Sequence, residues 1–539
     1  MTSPILKVIR SQTIFKDKNK FKLPYFFLFM EEIQKILNSS PRDYQKAIFN
    51  TAKDNNTLVV LPTGTGKTLI ALMLSIHRKI SFPESKILFL APTRPLAEQH
   101  IEYFKKNLPE LFAEMNLFTG AINAEKRQKI WQTTEIIFST PQCIANDLDN
   151  CLYNLNDVSL LIIDEAHRCL KNYAYTKVVE HYKNQSRNQR ILGLTASPGH
   201  EIEKVRQIAN HLNISEIEVR TRNSEDVKPY MQEMDFQKIE VPFPPEFMEI
   251  HSLLKKYFDA KVNLLKEKGY LTGPANKITL LNLQKRLSSQ VSLRNFAAMH
   301  GVSLVAQAVK ISHALELLET QTLSGLNDYF QNIIKQSKEK KSRAVQAIVK
   351  SPEFTMASVL LSRLLEKNID HPKLDALSKL INNEIAINSN AKIIVFAQFR
   401  ETVSKIVKKL NENPKIKAKI FIGQAQKSIS GLSQKEQKQI INDFKEGELN
   451  VLCATSIGEE GLDIPEVNAV IFYEPIPSAI RKIQRAGRTA RLKPGKLIIL
   501  VTKNTRDEIH HYASGARERK MSVSYTHLRA HETPEHLVC

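Results

Sequence analysis

The chain has 539 residues, of which 42% are hydrophobic and 25% are charged, a balance typical of globular proteins and not of disordered ones. One hydrophobic core rarely grows beyond about 250–300 residues, so two or more domains are expected. Lys and Arg number 77 against 56 Asp and Glu, and the resulting charge of +21 favours a polyanionic partner, although solvated surface lysines would give the same composition.

The first half of the chain has the pattern of an α/β domain. Between about residues 40 and 240, helical stretches separate the β-rich runs TLVVL (57–61), KILFLAP (86–92), EIIFST (135–140), LLIID (160–164) and RILGLT (190–195). Short runs of Val, Ile and Leu predict buried parallel strands, and their alternation with helices predicts a doubly wound sheet.

The middle of the chain is predicted to be helical and basic. From about 246 to 380 no strand is predicted, and Leu254, Phe258, Val262 and Leu265 fall on one face of a helix. Residues 250–350 carry 16 Lys and Arg against 6 Asp and Glu. This block is a candidate nucleic-acid-binding element, although a helical spacer with solvated lysines has the same pattern. Its candidate contacts are Lys338, Lys340 and Lys341.

The alternation of strands and helices resumes after about residue 390. The strand-like runs are KIIVFAQF (392–399), KAKIFIG (417–423), LNVLCAT (449–455), AVIFYEP (469–475) and KLIILVT (496–502). A second α/β domain is therefore predicted after the helical block.

LPTGTGKTLI (61–70) has the pattern of a phosphate-binding loop, because it follows a predicted strand and opens a helix. Glycine at 64 and 66 lets the backbone N–H groups turn toward a phosphate. Lys67 would supply a cation to the β- and γ-phosphates, and Thr68 a hydroxyl to Mg²⁺. The longer form of this motif would have glycine in place of Leu61. The candidate nucleotide-binding residues are Thr63, Gly64, Thr65, Gly66, Lys67 and Thr68.

LLIIDEAHR (160–168) ends a predicted buried strand in two carboxylates. Asp164 would hold Mg²⁺ through water, and Glu165 would orient and deprotonate the attacking water. His167 completes the candidate catalytic residues of this motif. Together with the phosphate loop, the motif predicts hydrolysis of ATP with Mg²⁺ as the cofactor.

In this order, the motifs resemble those of a superfamily 2 helicase of the DEAH-box kind. PRDYQ (41–45) resembles the adenine-reading Q motif, which implies Arg42 and Gln45 as base contacts. LTASPG (194–199) resembles motif III, and ATSIGEEGLDIPEV (454–467) resembles motif V. The latter implies a nucleic-acid contact by Thr455 and nucleotide contacts by Gly461 and Asp463.

Three further segments resemble the strand-contacting motifs Ia and Ib of these helicases. They are APTRPLAEQ (91–99), FTG (118–120) and STPQ (139–142). The resemblance implies that they contact nucleic acid through Thr93, Arg94, Thr119, Gly120, Thr140 and Pro141.

RKIQRAGRTARL (481–492) resembles motif VI, which completes the nucleotide site from the second lobe. Arg488 and Arg491 would act as arginine fingers on the γ-phosphate, and Gln484 would sense the same group. The motif normally ends in Gly-Arg, whereas this chain has Ala490. Alanine still allows a right-handed helical backbone, so we expect Arg491 to be placed correctly. If the position instead requires a positive φ, Ala490 is strained and activity is reduced.

The finer resemblance is to the archaeal Hef helicases and their Fanconi-anaemia group M relatives. It rests on GLTASPG, HPKLDAL (371–377) and the long segment from 457 to 491. It implies two RecA-like parallel-sheet motor lobes with a helical insertion between them. The implied layout is an N-terminal extension at 1–35, lobe 1 at 36–243, a thumb-like basic insertion at 244–375, and lobe 2 at 376–521.

The C-terminal residues carry two expectations. ARERKMSV (516–523) lacks the acidic cluster of an XPF-type nuclease and is interpreted as the terminal helix of the lobe. Residues 522–539 are rich in histidine, lack lysine, and resemble a read-through fragment that is not native. A metal site of His527, His531, His536 and Cys539 is the alternative.

The resulting hypothesis is an ATP-dependent DNA helicase or translocase that acts on forked or branched DNA in repair and replication restart. The alternatives are a duplex-RNA-stimulated ATPase of the RIG-I or Dicer kind, and a non-catalytic clamp that recruits a nuclease. The five cysteines form no CxxC pair, and the apolar run at 24–31 is too short to cross a bilayer. We therefore expect a reduced cytoplasmic location, a nucleic-acid partner, no membrane contact, and leave a nuclease or clamp partner open.

Overall fold

The computed structural model describes residues 33, 35–170, 173–199, 201–292, 298–423, 432–455, 464–490 and 493–530. Its strands are β1 (Thr57–Val60), β2 (Lys86–Leu90), β3 (Met115–Phe118), β4 (Ile136–Ser139), β5 (Val158–Ile163), β6 (Ile191–Thr195), β7 (Glu216–Val219), β8 (Met234–Val241), β9 (Ile393–Phe396), β10 (Ala418–Phe421), β11 (Val451–Ala454), β12 (Ala469–Phe472) and β13 (Gly495–Thr502).

The helices alternate with these strands except in the middle of the chain. They are α1 (Asp43–Asp54), α2 (Lys67–Ser81), α3 (Arg94–Asn107), α4 (Ala124–Thr133), α5 (Pro141–Asp149), α6 (Ala174–Gln185), α7 (Ile202–His211), α8 (Pro245–Glu267), α9 (Lys277–Ser292), α10 (Ala298–Thr320), α11 (Leu323–Lys338), α12 (Arg343–Val349), α13 (Pro352–Glu366), α14 (Lys373–Ile387), α15 (Arg400–Leu410), α16 (Gln434–Glu446), α17 (Ala479–Ala486) and α18 (Arg506–Ala530).

The first sheet has seven strands in the order β3-β4-β2-β5-β6-β1-β7, and all of their pairings are parallel. Helices cover both faces and form two hydrophobic cores, one on each side of the sheet. The five predicted strands of this half are present. The sequence reasoning missed β3 and β7, because these edge strands are only partly buried and lack a continuous apolar run.

The second sheet has six parallel strands in the order β10-β11-β9-β12-β13-β8. Its last strand, β8, pairs with β13 from Met234↔Gly495 to Val241↔Thr502. Lobe 1 was predicted to extend to residue 243, but the chain crosses to the second sheet before the helical block begins. The signal was weak because β8 is an edge strand whose charged and apolar residues alternate.

Helices α8 to α13 form a separate domain with its own core. The four residues predicted on one face of α8, Leu254, Phe258, Val262 and Leu265, are all buried in it. Within the described chain, α10 is the one helix long and apolar enough to cross a membrane, and 67% of its apolar window is buried inside the protein. It is the central helix of this domain's core.

Buried polar contacts join the helical domain to the second lobe. Glu319 of α10 lies 3.2 Å from His251 Nε2 and accepts a 3.0 Å hydrogen bond from the backbone N–H of Arg506 in α18. Beside it, the fully buried Lys373 and Asp507 of the second lobe form an ion pair. The contacts of Glu319 thus join the helical domain to the second lobe.

Candidate functional site

The phosphate loop has the backbone shape that its glycines permit. Gly64 and Gly66 have φ of 81° and 78°, values that favour glycine. A Cβ at residue 66 would also lie 2.5 Å from Gln45 Nε2, so a side chain there would clash. Lys67 Nζ donates to the carbonyl oxygen of Leu61 at 3.0 Å, which holds the ammonium group at the loop. The loop thus has the form of an anion-binding turn at the N-terminus of α2.

The PRDYQ segment packs directly against this loop. Tyr44 Oη and Gln45 Nε2 both donate to the carbonyl oxygen of Thr65, at 2.6 and 3.0 Å. Gln45 is 3% exposed, and its Oε1 accepts from the backbone N–H of Arg42 at 2.8 Å. The guanidinium of Arg42 lies 4.6 Å over the ring of Tyr230. These contacts link α1 to the phosphate loop, while adenine contacts by Arg42 and Gln45 stay a prediction.

Asp164 follows β5 and is 7% exposed. His100 Nε2 lies 3.1 Å from its Oδ2, and the His100 ring packs on Phe89 with 4.4 Å between ring centroids. Burial alone would raise the pKa of Asp164, but the hydrogen bond and charge of His100 and the charge of Lys67 outweigh it and hold the pKa below its usual range. The carboxylate is therefore ionised at neutral pH. Sequence reasoning missed His100, which directly follows the motif-Ia segment.

Glu165 has a left-handed backbone, with φ of 51° and ψ of 50°. Its Oε2 is buried and accepts no hydrogen bond within the described part of the chain. His167 Nδ1 lies 3.2 Å from this oxygen and also 3.2 Å from Thr195 Oγ1, and the regular hydrogen bond is to Thr195. Strained backbone of this kind concentrates at functional sites. The Glu165 carboxylate thus has a buried oxygen that accepts no hydrogen bond, and His167 lies between this oxygen and Thr195 of motif III.

The chemistry of these residues fits a magnesium ion. Mg²⁺ prefers oxygen ligands, and the ionised Asp164 and the hydroxyl of Thr68 at the start of α2 provide them. These two residues would hold the ion, as predicted from the sequence. When bound, Mg²⁺ would neutralise charge on the phosphates of a nucleotide.

Motif VI contacts the phosphate loop across the cleft between the lobes. A Cβ at Gly487 would lie 1.8 Å from Thr63 Oγ1, so only glycine permits this approach. Ile483 of α17 packs against a hydrophobic core of the first lobe. Gln484 and Arg488 are 6% and 9% exposed, so both are buried in this arrangement.

The end of motif VI is attached to the second sheet. The backbone N–H of Val467 donates to the Arg488 carbonyl at 3.1 Å, and Thr489 Oγ1 donates back to the Val467 carbonyl at 2.6 Å. The backbone of Arg488 is therefore tied to the chain that leads into β12. The predicted contacts Arg491, Gly461 and Asp463, and the tail residues 531–539, lie outside the described residues.

Ala490 does not have the right-handed backbone expected from the sequence. Its φ is 53°, and the residue is 2% exposed. The expectation was wrong because the chain must turn sharply between the bridge at Thr489 and β13, and a left-handed residue makes that turn. The strain foreseen for a positive φ at this position is therefore present, since a left-handed alanine costs about 1–2 kcal/mol.

Replacing Ala490 by glycine is expected to stabilise the protein by about 1 kcal/mol, because glycine adopts a positive φ without strain. This gain corresponds to a rise of about 2–4 °C in the melting temperature of a domain of this size. Ala486→Gly is the matched control, since residue 486 lies in α17, where glycine costs about 1 kcal/mol. Calorimetry of both variants checks the sign, and a lower melting temperature for Ala490→Gly would contradict the assignment of strain.

The predicted strand-contacting residues of the first lobe lie along one edge of the sheet. β4 lies between β3 and β2, and Ser139 is in register with both Phe118 and Leu90. The loops that follow these three strands therefore leave the sheet side by side. They carry Thr93, Arg94, Thr119, Gly120, Thr140 and Pro141. The ATP motifs follow β1, β5 and β6, toward the other side of the same sheet.

The remaining predicted nucleic-acid residues lie outside the first lobe. Thr455 directly follows β11 and is 7% exposed. Lys338, Lys340 and Lys341 are exposed at the end of α11 in the helical domain. These lysines are thus not part of the sheet edge formed by motifs Ia and Ib.

An ion pair connects motif Ia to the second lobe. Glu98 Oε2 lies 2.6 Å from Lys438 Nζ of α16, and its Oε1 accepts from Arg94 Nε at 2.8 Å. Burial tends to raise the pKa of Glu98, but the hydrogen bonds from Lys438 and Arg94 lower it overall. The two lobes therefore meet at this ion pair as well as at Gly487.

Three family models match consecutive parts of the chain. A DEAD/DEAH box helicase model matches residues 42–205, and a helical-bundle model of ATP-dependent RNA helicases matches residues 246–368. The helicase conserved C-terminal domain matches residues 372–493. The predicted division into two motor lobes and a helical insertion agrees with this order.

Several known proteins are similar to most of the chain. A protein of Methanocaldococcus jannaschii named as an ATP-dependent RNA helicase is 38% identical over 89% of this chain and 60% of its own length. The ATP-dependent DNA helicase mph1 of Neurospora crassa is 33% identical over 88% of this chain and 42% of its own length. The chain thus spans about half the length of these relatives.

A solved structure is similar over nearly its whole length. The crystal structure of the Hef helicase domain of Pyrococcus furiosus is 42% identical, with a TM-score of 0.67. The match covers 88% of this chain and 98% of that structure. Together with the order of the ATP motifs and the helical insertion, this match shows that the chain belongs to the Hef family of superfamily 2 helicases.

Proposed function

We propose that the chain is an ATP-dependent DNA helicase or translocase that acts on forked or branched DNA in repair and replication restart. The observation that carries the proposal is the close approach of Gly487 to Thr63. Arg488 directly follows Gly487, and we propose that it reaches the phosphates from the second lobe. A nucleotide bound by Lys67 would therefore contact both lobes, so hydrolysis would change how the lobes hold each other.

The described residues supply each part of ATP hydrolysis. Lys67 and the backbone of the loop bind the phosphates, and Arg488 stabilises the charge of the transition state from the opposite lobe. Glu165 accepts a proton from the attacking water through its unoccupied buried oxygen. His167 and Thr195 connect Glu165 to motif III, which follows β6.

The relatives favour DNA as the nucleic acid. The M. jannaschii protein is named for RNA, whereas mph1 of N. crassa and fml1 of Schizosaccharomyces pombe are named as DNA helicases. The non-catalytic hypothesis is less favoured, because the sequence keeps the candidate catalytic residues Lys67, Asp164, Glu165 and Arg488. The RNA-dependent hypothesis is less favoured because of the names of the mph1 and fml1 relatives. A nuclease is the class of protein partner that we propose, and the cytoplasm is the proposed location.

The proposed function is tested by measuring ATP hydrolysis with a panel of nucleic acids. Single strands, duplexes, forks and four-way junctions would each be supplied as DNA and as RNA. The expected result is stimulation by DNA, with forks or junctions stimulating at lower concentrations than a plain duplex. Stronger stimulation by duplex RNA would favour the alternative enzyme, and no hydrolysis under any condition would favour the clamp.

The helical domain is proposed to contact the branch point. Its exposed Lys338, Lys340 and Lys341 stand apart from the strand-contacting edge of the first lobe. Reversing all three to glutamate is expected to weaken binding to forks more than binding to single strands. Each lost phosphate contact reduces the log–log salt slope by about 0.9 for duplex DNA, so the slope should become shallower on forks only.

The salt dependence of binding is measured by fluorescence anisotropy for both substrates. The matched control is a reversal of Lys415, Lys417 and Lys419, which are exposed in and just before β10 of the second lobe and change the net charge equally. An equal loss on both substrates would make the block a general electrostatic surface. No loss on either substrate would show that the lysines are only solvated.

A further inference from the structure

A buried arginine connects two of the loops on the candidate nucleic-acid edge. Arg127 lies in α4, the helix that follows the turn at 119–122, and Asp147 lies in α5, the helix that begins at Pro141. The two residues are 8% and 1% exposed. The sequence motifs did not include either of them.

The guanidinium of Arg127 bonds to both helices and to the turn. Its Nε donates to Asp147 Oδ2 at 2.8 Å, and Nη2 donates to Asp147 Oδ1. Its Nη1 donates to the carbonyl oxygens of Ile122 and, at 3.4 Å, Thr119. Tyr153 Oη donates to Asp147 Oδ2 at 2.8 Å. Since its three nitrogens all bond inside the protein, Arg127 itself does not contact a bound strand.

These contacts determine where two strand-contacting loops lie. β3 and β4 are adjacent, with Phe118 in register with Ser139, and Ser139 Oγ donates to the Phe118 carbonyl at 3.0 Å. A Cβ at Gly120 would meet nothing within 4 Å, so the backbone of the turn is open to an approaching phosphate. The bidentate fork of arginine holds its partners in one geometry, which lysine would not do.

We propose that Arg127 and Asp147 are positioning residues for nucleic-acid binding, which hold the 119–122 turn and the start of α5 in one arrangement around a single strand. The proposal rests on the proposed function, because strand contact by these two loops is itself proposed. Phosphate contacts depend on position, so displacing one loop weakens binding without altering the nucleotide site beside β1, β5 and β6.

The test compares nucleic-acid dependence with basal hydrolysis in Arg127→Gln and Asp147→Asn. The single-stranded DNA concentration that gives half-maximal stimulation is expected to rise by about tenfold, as for the loss of one or two phosphate contacts. The basal rate and the KM for ATP should stay within about twofold of wild type. Arg127→Lys, which keeps the charge but loses the fork, should give an intermediate value.

Arg78→Gln is the matched control for loss of a buried arginine. Arg78 is 5% exposed in the same lobe and donates to the carbonyl oxygens of Ser159 and Asn188, away from the strand-contacting edge. Its replacement should lower the melting temperature as Arg127→Gln does but leave the half-stimulating DNA concentration unchanged. Tyr153→Phe, which removes one hydrogen bond to Asp147, provides a milder variant if the charge variants do not fold.

The outcomes separate this inference from the proposed function. If DNA stimulates the wild type and neither Arg127→Gln, Asp147→Asn nor Tyr153→Phe changes the half-stimulating concentration, the positioning role is wrong and the function stands. An equal shift in Arg78→Gln would also overturn it, since general destabilisation would then explain the effect. If no nucleic acid binds to the wild type or stimulates it, the proposed function is wrong. The positioning role is then wrong as well, because it depends on that function.

Discussion

Replacing Arg488 by alanine is expected to reduce DNA-stimulated ATP hydrolysis by about 10³-fold or more, while ATP affinity changes little. Arginine fingers contribute about 10³–10⁵ to turnover in related hydrolases, because they act on charge that develops in the transition state. Arg488 is held at the cleft by the hydrogen bonds between 467 and 488–489, beside the contact of Gly487 with Thr63. The backbone that presents the side chain should therefore survive its removal.

Steady-state hydrolysis with and without DNA, together with equilibrium binding of a fluorescent ATP analogue, checks this prediction. Arg481→Ala is the control, because residue 481 is an exposed arginine of α17, the helix that ends just before Gly487 and Arg488. DNA stimulation of Arg488→Ala within about threefold of wild type would show that Arg488 does not complete the site. A large loss of ATP affinity would instead indicate a ground-state contact.

The second large effect is expected for Glu165→Gln, which should lower hydrolysis by about 10²–10⁴-fold while ATP and DNA still bind. Glutamine keeps the size of the side chain but cannot accept the proton of the attacking water. The left-handed backbone at φ 51° is equally unfavourable for both residues, so the stability of the protein should not change.

Single-turnover hydrolysis measures the effect on chemistry directly, and anisotropy measures retained DNA binding. The melting temperature should match that of the wild type, which separates a catalytic loss from an unfolded site. A hydrolysis rate within about threefold of wild type would remove Glu165 from the proposed mechanism. Loss of ATP binding in the same variant would show that Glu165 contributes to binding ATP and not only to the chemical step.

The losses of activity expected for Arg488→Ala and Glu165→Gln have different structural origins, because the two residues lie on different lobes. In the proposed mechanism, Glu165 of the first lobe would act whenever ATP and water are bound. Arg488 would act only when the lobes approach. DNA stimulation is thus expected to depend on Arg488 more than basal hydrolysis does. The ion pair of Glu98 with Lys438 joins the lobes at a second point, next to Arg94 of motif Ia. Closure of the cleft and placement of a strand-contacting loop are therefore physically linked.

The sequence by itself determined the central strands and the nucleotide motifs. Strands such as β1, β5 and β6 are buried on both faces, so their residues must be apolar and their runs are easy to recognise. The phosphate loop is equally local, because its shape depends on glycines within a few residues of Lys67. The helical domain was also recognisable, since an amphipathic stripe such as that of α8 depends only on periodicity.

Only the tertiary structure revealed the strand pairings and side-chain contacts between residues that are far apart in the chain. β8 joins the second sheet because β13 leaves an open edge there. The residues of β8 alone do not predict that β13 is the strand with which they pair. His100 and Asp164 meet because the His100 ring packs on Phe89 of β2, and β2 pairs with β5. Arg127 meets Asp147 because β3 and β4 are neighbours.

At Ala490, too, the backbone conformation could not be predicted from the local sequence. Alanine prefers a right-handed backbone, so a negative φ is predicted for residue 490. The observed φ is 53°, next to the β-bridge between Thr489 and Val467. The preference of alanine for a right-handed over a left-handed backbone is worth about 1–2 kcal/mol. At Ala490 the tertiary structure therefore overrides the local backbone preference of alanine.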